Sequence, residues 1–282
     1  EAPRPAAELT PLYEAMLADL VHAIRAAEAA AGFGHLLFVE PALPAGNPDL
    51  GLVIPDPRRV GVDVANIVSS PHNYAETIGV PGATVTFEAM NQLFLAFAQK
   101  IGVPTWIGEY GFWNTSPGTL EKLARYAADE DRQLLGGAWW QWRQPCGDPH
   151  SVGPTGDYIV THLHRLGCPG DQDLGPTPEF MRVLGRGYPR ATPGRLTRLV
   201  SDPVTGALEV EAKATEPGGT LVVWTPTSGE THEIVLTGLV GLVEHDTPGG
   251  RVLSATVADS GAYCLEVNAL PCRDRGTPGA TA

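Results

Sequence analysis

The chain is short of base. Nineteen Lys and Arg stand against 32 Asp and Glu, giving a formal net charge of −13. Nucleic acids and anionic membrane surfaces both call for clustered cations. The shortage therefore argues against either partner and fits a soluble protein acting on a neutral substrate. Long apolar runs are missing as well, since none reaches the roughly 18 residues that a membrane-spanning helix needs. Cysteine is scarce, with four in all, at 146, 168, 264 and 272. Neither local pair has the C-x-x-C spacing of a zinc or redox site. Cys146, Asp148, His150 and Cys168 match no zinc pattern either, so no metal is expected. We expect Cys146–Cys168 and Cys264–Cys272 disulfides, which would place the protein outside the cell. Four cysteines allow three pairings, and four free thiols are the alternative.

Glycine and proline are plentiful, at 33 and 26 residues, which implies long loops while staying below the composition of a disordered chain. At 282 residues the chain can build one large domain or two ordinary ones. It opens on Glu1 rather than Met and shows no signal-peptide pattern. The expectation is a processed chain or a fragment.

Helices and strands alternate through the first two thirds. Thr10-Pro11 reads as a cap followed by proline at the first helical position. Tyr13, Leu17, Leu20 and Ile24 then repeat at helical spacing until Gly32 and Gly34. Leu36 to Val39 is a short strand ending at Glu40-Pro41, and Ala42 to Arg59 is loop. Asn66 to Ser70 is the next strand. A helix capped by Thr86 follows, with Met90, Phe94, Phe97 and Ile101 on one face. Val103 to Ile107 reads as a strand buried on both faces. Ser116-Pro117 opens a helix to about Arg132, the tryptophan-rich 136–142 stretch is a fourth strand, and a short helix spans Pro178 to Gly185.

Four helix–strand units suit a parallel sheet. They predict an α/β fold, a partial (β/α)8 TIM barrel of about the last four units over residues 1–190. A full barrel takes about 250 residues, so the missing units are expected ahead of residue 1. After Tyr188-Pro189 the texture changes. Stretches at 208–212, 220–224, 232–236, 251–257 and 262–267 alternate with Gly, Pro and Asp, predicting a small all-β sandwich over 191–270. Residues 271–282 are small and polar, and a disordered tail is expected there.

Three strand ends carry polar chemistry. Thr105-Trp106-Ile107-Gly108-Glu109-Tyr110-Gly111 leaves one carboxylate between glycines at the end of an apolar strand, where barrels keep their catalytic groups. Ser70-Pro71-His72-Asn73-Tyr74 and Gly136-Gly137-Ala138-Trp139-Trp140-Gln141-Trp142 close the neighbouring strands. Alternation sets Trp140 and Trp142 on one face and Trp139 on the other. Ion pairing for Glu109, a structural imidazole for His72, and core packing for Tyr74 and the tryptophans are the plainer readings.

In combination these motifs resemble glycoside hydrolase family 5, the cellulase and endoglycoceramidase family, over about residues 10–190. A β-sandwich after the barrel is found in its endoglycoceramidase-like members. The resemblance implies that Glu109 is the nucleophile at the seventh strand, that His72 and Tyr74 hold it from the sixth, and that Trp140, with Trp142 second, stacks under the sugar. The family's acid/base glutamate lies in Asn-Glu-Pro at the fourth strand. Glu40-Pro41 is set aside for that role, because the resemblance puts it at the end of strand five; the acid/base is expected upstream of residue 1. The implied activity is a retaining β-glycosidase acting on a polysaccharide or glycolipid, with no metal or organic cofactor. A non-catalytic carbohydrate-binding or scaffold protein derived from such a barrel is the alternative. Nothing in the sequence sets an oligomeric state.

Overall fold

The computed structural model describes residues 6–40, 56–76, 85–111, 118–140, 178–226 and 233–268. They divide into two compact units. One comprises 1–119 with 135–173, and the other 120–134 with 174–282.

In the first unit, helix α1 (Ala6–Ala31) leads to strand β1 (Leu37–Val39), followed by β2 (Ile67–Ser69) and β3 (His72–Asn73). Helix α2 (Phe87–Ile101) feeds β4 (Ile107–Tyr110), and β5 (Gly137–Trp139) closes the series. β1 runs parallel to β2, and β3, β4 and β5 are parallel to one another. β2 and β3 act as one interrupted strand. The Ser69 N–H reaches the Pro104 carbonyl, the Trp106 N–H reaches the Ser69 carbonyl, and the Gly108 N–H reaches the Pro71 carbonyl, all at 2.8–2.9 Å. Four parallel strand positions thus stand side by side, and all their C-terminal ends lie on one rim.

The helices form for reasons legible in the chain. The Thr86 hydroxyl accepts the Ala89 N–H at 3.2 Å, satisfying an otherwise orphaned donor of the first turn of α2. Phe87, Met90, Phe94, Ala98 and Ile101 bury one face of that helix. Leu17, Ala18 and Val21 of α1 pack with Ile67, Ala98, Ile101 and Val103 around β2. Each large side chain buried this way contributes about 1.5–3 kcal/mol.

Two expectations for α1 need correction. It starts at Ala6, so Pro11 lies inside the helix rather than at its first position. Proline there removes only one bond, close to an end whose donors lack intrahelical partners. The buried stripe is Leu17, Ala18 and Val21, whereas Leu20 and Ile24 are exposed.

The second unit holds α3 (Thr119–Gln133), α4 (Pro178–Leu184) and eight strands. These are β6 (Tyr188–Ala191), β7 (Arg195–Ser201), β8 (Leu208–Ala214), β9 (Thr220–Pro226), β10 (Ile234–Thr237), β11 (Leu239–Thr247), β12 (Gly250–Val257) and β13 (Gly261–Val267). They make two four-stranded antiparallel sheets, ordered β10-β13-β8-β7 and β11-β12-β9-β6. Alternate residues of both sheets, among them Val210, Leu221, Val223, Leu253 and Leu265, form one apolar cluster. Strands β6, β7 and β11 were not anticipated, and β6 begins just ahead of the boundary expected at 190. Register shifts in β7 and β11 break the period of two. Pro189 disguises β6, an edge strand of its sheet and so a place where proline is tolerated.

Within this unit, buried Arg186 ties the segment between α4 and β6 to α3. Its Nη2 lies 2.6 Å from Asp131 and 2.8 Å from Glu130, and it also donates to the Ala127 carbonyl. Burial pushes the Glu130 and Asp131 carboxyls above the usual range against the pull of Arg186, while the two carboxylates raise the guanidinium. Among the described residues no helix is long and apolar enough to cross a membrane. The expected tail, the Ser116-Pro117 cap and Cys146, Cys168 and Cys272 lie outside the described residues.

Candidate functional site

The rim of the parallel sheet gathers the polar groups. His72 and Glu109 are register partners on β3 and β4, which sets their Cα atoms side by side. Against β5 the register shifts between Ile107 and Tyr110, and such an irregularity re-aims the residues within it. The glycines flanking the motif are close-approach positions. A Cβ on Gly108 would meet the Ser70 hydroxyl at 2.6 Å and the His72 ring at 3.1 Å, and one on Gly111 would collide with the Trp140 carbonyl.

The Tyr74 hydroxyl donates to Glu109 Oε2 at 2.9 Å. His72 Nδ1 lies 3.3 Å from the same oxygen. Glu109 Oε1 has no partner among the described residues, and Oε2 is the oxygen they hold. The Glu109 side chain is 29% exposed and His72 18%. A half-buried carboxylate with one anchored oxygen can act as a nucleophile or as an acceptor for a hydroxyl.

Beneath this pair the opposite sheet face is locked. The buried Asn73 amide donates to the Asn91 side chain at 2.7 Å and to the Phe87 carbonyl at 3.0 Å. Tyr110 meets Trp139 edge to face, with ring centroids 5.6 Å apart. These contacts stiffen the strand ends from which His72 and Glu109 project.

Trp140 follows β5, and its N–H donates to the Tyr110 carbonyl at 2.7 Å. It therefore sits one strand over from Glu109, and it is half-buried. Trp142 lies outside the described residues. The structure thus gathers His72, Tyr74 and Glu109 by side-chain contact and brings Trp140 alongside by its backbone.

Glu40 joins them. Its Oε1 is 3.3 Å from His72 Nδ1, and its carbonyl accepts from the Tyr13 hydroxyl. Burial, and then the Glu40 charge, hold the Tyr13 phenol above its ordinary value. In the sequence only the Glu-Pro at a strand end marked Glu40, and its nearness to His72 had no signal at all. No group of His, Cys, Asp and Glu that could hold a metal ion occurs among the described residues.

The sequence matches no family model and no curated protein. Solved structures do resemble it. The chain aligns over 94% of its length with 54% of an endogalactoceramidase at 27% identity and a TM-score of 0.76. Endo-glycoceramidase II from Rhodococcus sp. aligns over 82% of this chain and 48% of that one at 22% identity and a TM-score of 0.56. It does so both as its lactosyl-enzyme intermediate and as its ganglioside GM3 complex. The fold accordingly resembles part of a family 5 glycoside hydrolase, the family of these neighbours. The chain spans about half the length of these neighbours.

Proposed function

We propose that this chain carries the nucleophile half of a retaining β-glycosidase that cleaves glycolipids. The carrying observation is the Tyr74–Glu109 bond of 2.9 Å at the rim of the parallel sheet, with no partner for Oε1 among the described residues. Glu109 attacks the anomeric carbon, a C–O bond forms as the bond to the leaving group breaks, and water later releases the sugar. Tyr74 and His72 hold the carboxylate, and Trp140, with Trp142 beside it, supports the sugar face. The leaving oxygen takes its proton from an acid/base glutamate in barrel units that this sequence does not include, since no Asn-Glu-Pro occurs in it. The two antiparallel sheets serve as an accessory β-sandwich. The glycolipid preference is taken from the named activities of the endogalactoceramidase and endo-glycoceramidase neighbours. Extracellular location and the Cys146–Cys168 and Cys264–Cys272 pairings belong to the same reading.

A 2,4-dinitrophenyl 2-deoxy-2-fluoro-β-glycoside needs no acid to lose its leaving group, so it isolates the nucleophile. Incubated with the intact protein, it should add one fluoroglycosyl mass, mapped to the peptide bearing Glu109. Labelling elsewhere, or none, sinks the assignment. The second reading is a non-catalytic carbohydrate-binding protein, favoured by the lack of Asn-Glu-Pro in the sequence. It requires saturable sugar binding without any label.

A further inference from the structure

We propose that Glu40 is a positioning residue of the Glu109 centre, acting through His72; the inference rests on Glu109 being the reacting carboxylate. His72 Nδ1 stands at 3.3 Å from Glu40 Oε1 and at the same 3.3 Å from Glu109 Oε2. One N–H cannot point fully at two acceptors. Both separations lie just beyond the 2.7–3.2 Å of a settled N–H···O bond. The geometry is that of a donor shared between two carboxylates.

The two acceptors are held differently. Glu109 Oε2 is held by the shorter Tyr74 bond and, at 3.3 Å, by the imidazole. Glu40 is fixed from its backbone. Val39 pairs with Ser69, the Ser70 N–H reaches the Val39 carbonyl at 2.9 Å, and the Tyr13 hydroxyl caps the Glu40 carbonyl. The Glu40 side chain is 51% exposed, so its carboxylate keeps contact with water. The other edge of the His72 ring is wedged against β4, where even a Cβ on Gly108 would stand 3.1 Å from Nε2.

That arrangement does something when Glu109 reacts. As a glycosyl ester Glu109 carries no charge and is a weaker acceptor. Glu40 then remains as the anionic partner of Nδ1, the proton stays on that nitrogen, and the ring keeps its place. When water frees Glu109, the shared contact returns. Glu40 forms no bond to sugar in this scheme and transfers no proton.

Two measurements on the intact protein test it. Long-range ¹H–¹⁵N correlation of the imidazoles, with His72 identified among the eight histidines by His72→Asn, should show the proton on Nδ1. It should stay there in Glu40→Ala and in Glu109→Ala, and move mainly to Nε2 in the double variant. In kinetics Glu40→Ala should lower kcat about tenfold with KM within about twofold, and Glu40→Gln, which keeps an acceptor oxygen, should restore most of the loss. An Nε2-protonated ring in the unmodified protein overturns the proposal, as does a Glu40→Ala kcat within about twofold of the original. Acceleration of Glu40→Ala by azide on an activated aryl glycoside would assign Glu40 the acid/base role and overturn it too. The tautomer measurement needs no turnover. Full activity in Glu109→Gln would therefore sink the nucleophile assignment while leaving the Glu40–His72–Glu109 contact to be judged on its own.

Discussion

The two units solve the burial problem in opposite ways. In the antiparallel unit both sheets turn their alternate residues onto one cluster, and Val210, Leu221, Val223 and Leu265 have no exposed surface. In the parallel unit β1 pairs only with β2 among the described residues. Beside it, Leu20 and Phe38 are more than half exposed, lining with Met16, Ile24 and Leu36 an apolar groove of about 520 Å³. Antiparallel strands joined by short turns can close a core from neighbouring sequence. Parallel strands need a partner from a distant crossover at each edge. The difference teaches where function sits. The parallel unit lines up one end of every strand, which collects polar groups on a rim, and that rim is where His72, Tyr74 and Glu109 meet.

Breaking each unit separately sharpens the contrast. The largest effect is expected from Glu109→Gln, which on the proposed mechanism should lower turnover by the intact protein roughly ten-thousandfold while the melting temperature holds. Unchanged activity would remove Glu109 from the mechanism. Arg186→Met should do the reverse, leaving the Glu109 centre untouched while stranding two buried carboxylates. A loss on the order of 3–5 kcal/mol in denaturant unfolding is expected, and a loss below about 1 kcal/mol would show the clamp to be dispensable. Tyr74→Phe removes one hydrogen bond to the proposed nucleophile Glu109 and should cost about tenfold to a hundredfold in kcat with stability nearly unchanged.

Smaller effects are expected in the antiparallel unit. The buried Tyr263 hydroxyl donates to the Pro193 carbonyl at 2.7 Å, and burial pushes its phenol up to about 12. The unfolded chain ionises this tyrosine near its ordinary value of 10.0 and the folded chain does not. Stability should therefore fall as pH rises from about 10 to about 12, and Tyr263→Phe should flatten that slope. Smallest is Glu266→Gln. Both Glu266 carboxylate oxygens are buried without a hydrogen-bond partner, and burial, with Glu209 and Glu211 adding, holds the group above the usual carboxylate range. A raised carboxyl disfavours the fold once it ionises, so the variant should gain about 1 kcal/mol at neutral pH. The gain should fade as the pH drops through the raised value; equal gain at every pH would refute the charge argument.

Several elements were legible before any coordinates. Thr86 caps α2, and its Met90-Phe94-Ile101 face is buried as its spacing implies, because a cap and a 3.6-residue period are local properties. Gly108 and Gly111 marked the Glu109 strand end, and both lie where a side chain would collide. The start of α1 was misread because the cap-plus-proline signal at Thr10-Pro11 is equally compatible with a helix already begun. Strands β7 and β11 escaped because a register shift erases alternation, and β6 because proline argues against an interior strand.

Taken alone, the sequence determined the type and order of most elements and marked the strand end that carries Glu109, since periodicity, capping and close-packed glycines act over a few residues. Only the tertiary structure decided that Glu40, Tyr13 and His72 share one corner with Glu109. Parallel strand pairing brings together residues tens of positions apart, and no local pattern records which strand ends will become neighbours.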